Sequence, residues 1–67
     1  MNKRQLQIYV YIKNFISEKN YSPSIREIAN AVGYSSSSSV HRHLDTMREK
    51  GYIDFIDSYS RTLQIIR

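Results

Sequence analysis

Ser24-Ile25-Arg26-Glu27-Ile28-Ala29-Asn30-Ala31-Val32-Gly33-Tyr34-Ser35-Ser36-Ser37-Ser38-Ser39-Val40-His41-Arg42-His43-Leu44-Asp45-Thr46-Met47 is the stretch that decides the fold. It opens with a serine followed three positions later by a glutamate. Ser24 can accept from the third backbone N–H of a new helix while Glu27 reaches back to Ser24, which is a capping box. Ile25, Ile28, Ala29 and Val32 then recur at helical spacing. This predicts a helix to about Val32. Gly33 can take the left-handed position that closes it without steric cost. The five serines at positions 35–39 read in isolation as a flexible linker. A linker should lead into a new domain, and too little chain remains for one. Serine also caps helices well, and Val40, Leu44 and Met47 follow at helical spacing until Gly51. The spacing predicts a further helix over about residues 37–50, with Ser36 as its cap. Two helices joined by a short glycine-containing turn make a helix-turn-helix, whose second helix lies in the major groove of DNA.

Upstream, Ile8, Ile12, Phe15 and Ile16 share one face at helical spacing, with Tyr9 beside them and Lys13, Asn14 and Glu18 opposite. A scaffold helix is expected over residues 4–19, ending near Asn20 and broken by Tyr21, Ser22 and Pro23, because the residue before a proline avoids the helical region. Downstream of Gly51 the period changes. Residues 52–56 and 62–66 have strand character, and Leu63 and Ile65 alternate with polar residues. Residues 57–61 lie between them as a turn, so a β-hairpin closes the chain. The expected fold is mainly α: a three-helix winged helix-turn-helix with a C-terminal two-stranded hairpin wing, one domain over residues 1–67.

Composition agrees with this and bounds the function. The chain has 67 residues, enough for one small core. With 40% hydrophobic residues it is too apolar for a disordered tail. It has no cysteine, so disulfides and cysteine-based zinc sites are excluded. Neither a membrane-length apolar run nor the apolar block of a secretory signal is present, so a cytoplasmic protein is expected, on the nucleoid when bound to DNA. Ten Lys and Arg against six Asp and Glu give a net charge of +4, which suits a polyanionic partner.

Placing the charges sharpens the expectation. On a wheel of about 100° per residue, Val40, Leu44 and Met47 fall on one side of the helix over 37–50. Ser38, His41, Arg42, Asp45 and Glu49 fall on the other. Groove-facing ends of such helices are their N-terminal turns, so Ser36, Ser37, Ser38, Ser39, His41 and Arg42 are the candidate DNA-binding residues. Short hydroxyl side chains permit close approach, and the free N–H groups of a helix start bind phosphate. Arg42 can bond both acceptors of guanine or contact a phosphate, and His41 can donate or accept at a base edge. Asp45 and Glu49 sit further along, where they can stay clear of the phosphates. In the wing, Arg61 is the one basic residue near the tip and is the candidate for a phosphate or minor-groove contact. Tyr59 can pack on the sugar backbone, and Asp54 and Asp57 repel DNA unless they point away. His41 and His43 invite a metal reading. Residues two apart on a helix do not face each other, and no cysteine or suitably spaced carboxylate completes a site, so no metal and no cofactor is expected. His43 is expected to be a half-buried packing residue. No catalytic residue is expected either, since nothing in the serine run suggests a pocket or an oxyanion hole.

Arg4-Gln5-Leu6, Tyr21 to Ile28, Ala31-Val32-Gly33-Tyr34, Ser36 to Leu44 and Lys50-Gly51-Tyr52-Ile53 together resemble the N-terminal DNA-binding domain of the LexA family of SOS-response repressors. The resemblance covers nearly the whole chain, through Arg61 in the wing. It implies a winged helix that binds palindromic operators as a dimer. It also implies that Ser36, Ser38, Ser39, His41 and Arg42 meet bases and phosphates, and that Arg61 is the wing arginine. Two features depart from the family. Nothing in these residues encodes the self-cleaving Ser-Lys peptidase domain. Arg42 stands where relatives with the serine-rich helix often carry a smaller residue. The expectation is therefore a non-enzymatic transcriptional regulator that binds double-stranded DNA, pairs weakly on it, and takes neither membrane nor small-molecule substrate. The rival expectation is a winged helix that binds another regulator or a host protein, favoured by Asp45, Glu49, Asp54 and Asp57.

Overall fold

A computed structural model describes all residues from Met1 to Arg67. Three helices, α1 (Lys3–Lys19), α2 (Ile25–Val32) and α3 (Ser37–Glu49), precede two short strands, β1 (Ile53–Asp54) and β2 (Gln64–Ile65). The architecture is the winged helix-turn-helix expected from the sequence.

Local chemistry sets each boundary. α1 starts one residue earlier than its apolar pattern because the Asn2 side chain accepts from the Gln5 N–H at 2.8 Å. It ends at Asn20, whose left-handed backbone (φ 64°) turns its N–H onto the Ile16 carbonyl. The capping box at α2 forms in both directions, Ser24 N–H to Glu27 Oε1 at 2.8 Å and Glu27 N–H to Ser24 Oγ at 3.1 Å. Gly33 at φ 85° closes α2, a conformation an L side chain enters only with strain. Ser36 caps α3 by accepting from the Ser38 N–H, and α3 ends at Glu49 with Lys50 as its cap.

The helices meet on one core. α1 contributes Ile8 and Ile12, α2 Ile28 and Ala29, and α3 Val40, Leu44 and Met47; Ile53 and Leu63 of the wing close it. Ile25, Val32 and Ile16 pack at its margin and are only half-buried. Phe15 lies outside it, between Tyr11 and Tyr21 with ring centroids 5.9 and 5.5 Å away.

The hairpin ladder is shorter than the expected strands over 52–56 and 62–66. Only Ile53 pairs with Ile65 and Asp54 with Gln64, antiparallel. Side chains take the backbone groups that would have extended it. Asp54 Oδ1 accepts from the Phe55 N–H at 2.8 Å, and the Thr62 hydroxyl accepts from the Ile56 N–H at 2.9 Å. The Leu63 N–H is drawn off to Ser22 Oγ at 3.2 Å, ahead of α2. At the other end, Arg67 runs back along the body. Its carbonyl accepts from the Tyr9 hydroxyl at 2.6 Å, and its guanidinium donates to the Lys50 carbonyl at 2.8 Å.

Candidate nucleic-acid interface

The turn between α2 and α3 is held from behind. Tyr34 donates its N–H to the Ala29 carbonyl at 2.9 Å, and its hydroxyl lies 3.0 Å from His43 Nε2. Gln5 of α1 reaches the other ring nitrogen of His43 at 3.4 Å, and Arg4 sits 5.1 Å over the Tyr34 ring while donating to the Val32 carbonyl. His43 is half-buried, as expected, but it is a polar joint between α1, the turn and α3 as well as a packing residue. This network ties the start of α3 to the rest of the body.

On the outer side, Ser36, Ser37 and Ser38 are exposed, Ser39 is half-buried, and His41 is half-buried with Arg42 exposed next to it. The N-terminal turn of α3 thus presents hydroxyls, unpaired backbone N–H groups and the Arg42 guanidinium, which has no hydrogen-bond partner within the chain. Arg26 of α2 is likewise exposed and unpaired, and it lines one concavity with Ser37, Ser38 and His41. Arg26 is not among the residues expected from the sequence to line this face. Its signal was there: it is the basic residue between the two capping positions, beside the buried face of the first helix of the pair.

The wing borders the same face. His41, Phe55, Tyr59 and Arg61 share a cleft of about 410 Å³ between α3 and the wing loop. Tyr59 is the most exposed large hydrophobic side chain, 71% accessible, with Ile56 at 60% nearby in the wing loop. Arg61, the candidate contact of the wing, lies against the body and stays partly exposed. Its backbone is left-handed (φ 58°), and its guanidinium passes 5.1 Å over the Tyr21 ring. It donates to the Ser22 carbonyl at 3.1 Å and to Glu27 Oε1 at 2.9 Å. The reason is charge: Glu27 is the carboxylate of the α2 capping box and lies within reach. The Ser24 backbone N–H first, and Arg61 second, hold the Glu27 carboxyl below the usual glutamate range.

Acidic residues near the reading face are also engaged. Arg48 of α3 donates to Asp45 Oδ1 at 3.4 Å, to Asp57 Oδ1 at 3.3 Å and to the Phe55 carbonyl at 3.1 Å, and stacks 4.0 Å from the Phe55 centroid. Asp45 also pairs with His41, one turn away. Contrary to the expectation from sequence, carboxylates do stand at ligand spacing from His41. Ligand atoms of His41, Asp45 and Asp57 lie within 4.8 Å of one another, because the i, i+4 spacing and the returning wing bring them together. Both carboxylates are already shared with Arg48. Asp54 turns back to cap its own neighbour.

A family model described as the LexA DNA binding domain matches residues 1–62. The chain belongs to the LexA DNA-binding domain family. Proteins named LexA repressor from Staphylococcus haemolyticus, Staphylococcus epidermidis and Staphylococcus aureus are each 48% identical to it over 66 residues. That alignment covers 98% of this chain and 32% of each relative, so the chain spans about a third of the length of the curated relatives it matches. The LexA family match runs from α1 into the wing and ends one residue beyond Arg61. It takes in the capping box, the Gly33 turn, the serine-rich helix start and the Arg61–Glu27 pair. No helix is long and apolar enough to cross a membrane.

Proposed function

We propose that this LexA-family domain binds double-stranded DNA sequence-specifically as the DNA-reading part of a transcriptional repressor, with α3 in the major groove and the wing along the backbone. One observation carries the reading. The N-terminal turn of α3 exposes Ser36, Ser37 and Ser38 beside two guanidiniums, Arg42 and Arg26, that have no partner in the chain. His41 and Arg42 read base edges, and Ser36 to Ser39 bring the helix start against a phosphate and the nearest bases. Arg26 contacts the phosphate backbone, as the first helix of such a pair crosses it. Tyr59 packs on a sugar at the wing, and Arg61 holds the wing level with α3 through Glu27. The chain acts by binding and performs no chemistry on its partner. It occupies the nucleoid when bound. Two copies read a palindromic operator, with half-sites about 34–36 Å apart.

The test is a titration against randomised duplexes at several salt concentrations. Each phosphate contacted lowers the logarithm of the affinity by about 0.9 per logarithm of salt. A slope of several such units, with one sequence enriched over the rest, is the expected result. Salt-insensitive binding, or enrichment of no sequence, would overturn the reading.

A further inference from the structure

His41 is gripped in a way that neither its exposure nor the family match accounts for. Its Nδ1 lies 3.2 Å from Asp45 Oδ2. The other oxygen of that carboxylate faces Arg48 at 3.4 Å, and Arg48 is itself anchored in the wing by Asp57 and the Phe55 carbonyl. The Phe55 ring meets the His41 ring edge-on, with centroids 5.9 Å apart and planes at 78°. The His41 ring thus lies beside a chain of contacts that runs into the wing. Nε2 has no partner within the chain, and the side chain is 45% exposed. A carboxylate offers only lone pairs, so its charge 3.2 Å from Nδ1 favours the tautomer that carries the ring hydrogen on that atom. In an imidazole with a single proton, Nε2 is then left as a pure acceptor. Major-groove atoms that satisfy an acceptor are the exocyclic amines of adenine and cytosine; guanine offers two acceptors there instead.

We propose that Asp45 is a specificity-determining positioning residue, which fixes the hydrogen of His41 on Nδ1 and so presents Nε2 as an acceptor for an exocyclic amine, adenine N6 or cytosine N4. The inference rests on the DNA-reading role of α3. It assigns Asp45 a part that its sign alone would not suggest, because a carboxylate near DNA is otherwise a liability.

The experiment is a selection from randomised duplexes in mildly alkaline buffer. It uses the parent chain, Asp45→Ala, Asp45→Asn, His41→Ala and the Asp45→Ala/His41→Ala double variant, with a ¹⁵N spectrum of the His41 ring in the parent and in Asp45→Ala. The parent is expected to favour adenine or cytosine at one position of each half-site by about tenfold. Asp45→Ala and His41→Ala should lose that preference at the same position, and the double variant should lose no more. Asp45→Asn keeps an acceptor oxygen and should retain it. The spectrum should place the hydrogen on Nδ1 in the parent and distribute it over both nitrogens in Asp45→Ala. The salt slope should persist throughout, since no lysine or arginine is removed. A preference unchanged in Asp45→Ala, a change at a different position from that of His41→Ala, or a hydrogen on Nε2 in the parent would overturn the inference while leaving DNA binding intact. Absent or salt-insensitive binding by the parent would remove the DNA-reading role and the inference with it.

Discussion

At the scale of single residues, the charged side chains divide into engaged and free, and that division sets what each substitution does. Arg42 is free, and His41 keeps one nitrogen open. His41→Ala and Arg42→Ala are therefore expected to change which duplex is preferred, by about 1–3 kcal/mol of discrimination at the affected base pair. Ranking of bound sequences measures this; unchanged rankings in both variants would displace α3 from the groove. Arg61 is bound to Glu27 and the Ser22 carbonyl. Arg61→Ala should weaken binding to all duplexes about evenly, by loosening the wing, and leave the salt slope unchanged from the parent. A slope reduced by about 0.9 would instead make Arg61 a direct phosphate ligand. The sequence made the candidate readers legible because helical periodicity separates Val40, Leu44 and Met47 from His41 and Arg42. It could not show that Arg61 turns inward, because its partner stands 34 positions away. The Asp45–Arg48 half of the next bridge is local, three positions along α3, but its Asp57 half forms only because the wing folds back on that helix.

At the scale of elements, helix limits were legible to within a residue and strand limits were not. Caps are local: Ser24 with Glu27, Ser36 with Ser38 and Gly33 are all decided within four positions. The ladder of the wing depends instead on competition for backbone groups. Ser22 and Thr62 win that competition for the Leu63 and Ile56 N–H groups, and no alternation pattern records it. Because Ser24 and Glu27 cap α2 reciprocally, Ser24→Ala is expected to cost about 1 kcal/mol, read as a lower denaturation midpoint. Glu27 adds a pH dependence. Its carboxyl is held below the usual range in the folded chain, so on acidification the unfolded chain takes up its proton first. The stabilisation is complete above the ordinary glutamate range and disappears as pH falls through the lowered folded value. Glu27→Gln should flatten the acid limb of a plot of Tm against pH, and an acid limb identical to that of the parent would show that the cap and the Arg61 pair contribute nothing to it.

At the scale of the whole molecule, a small core carries everything. A chain of this length has roughly 3–10 kcal/mol of stability to lose, and Leu44, fully buried, should take about 2–5 kcal/mol with it on truncation to alanine. Leu44→Ala is expected to leave most of the chain unfolded near its working temperature, by loss of helical circular dichroism. Ile66→Ala, at a position 55% exposed, should not. The Cα trace spans only 26 × 24 × 23 Å, less than the roughly 34–36 Å between half-sites one turn apart. Two copies on a palindrome therefore sit side by side and meet at most through protruding wings. The free chain should sediment as a monomer and bind a palindrome two to one; a tight dimer without DNA, or one-to-one binding, would count against this arrangement. The strap at Arg67 gives the molecule a polarity. Tyr9 and Lys50 pin Arg67 beside the C-terminal end of α3, about 20 Å along the helix from the serines at its start. A polypeptide joined there would depart from the end of α3 opposite its serines, like a leash clipped to the back of a harness. A self-associating partner on such a leash would hold two readers at a local concentration set by tether length alone, so operator occupancy becomes adjustable by lengthening or shortening a segment that never touches DNA.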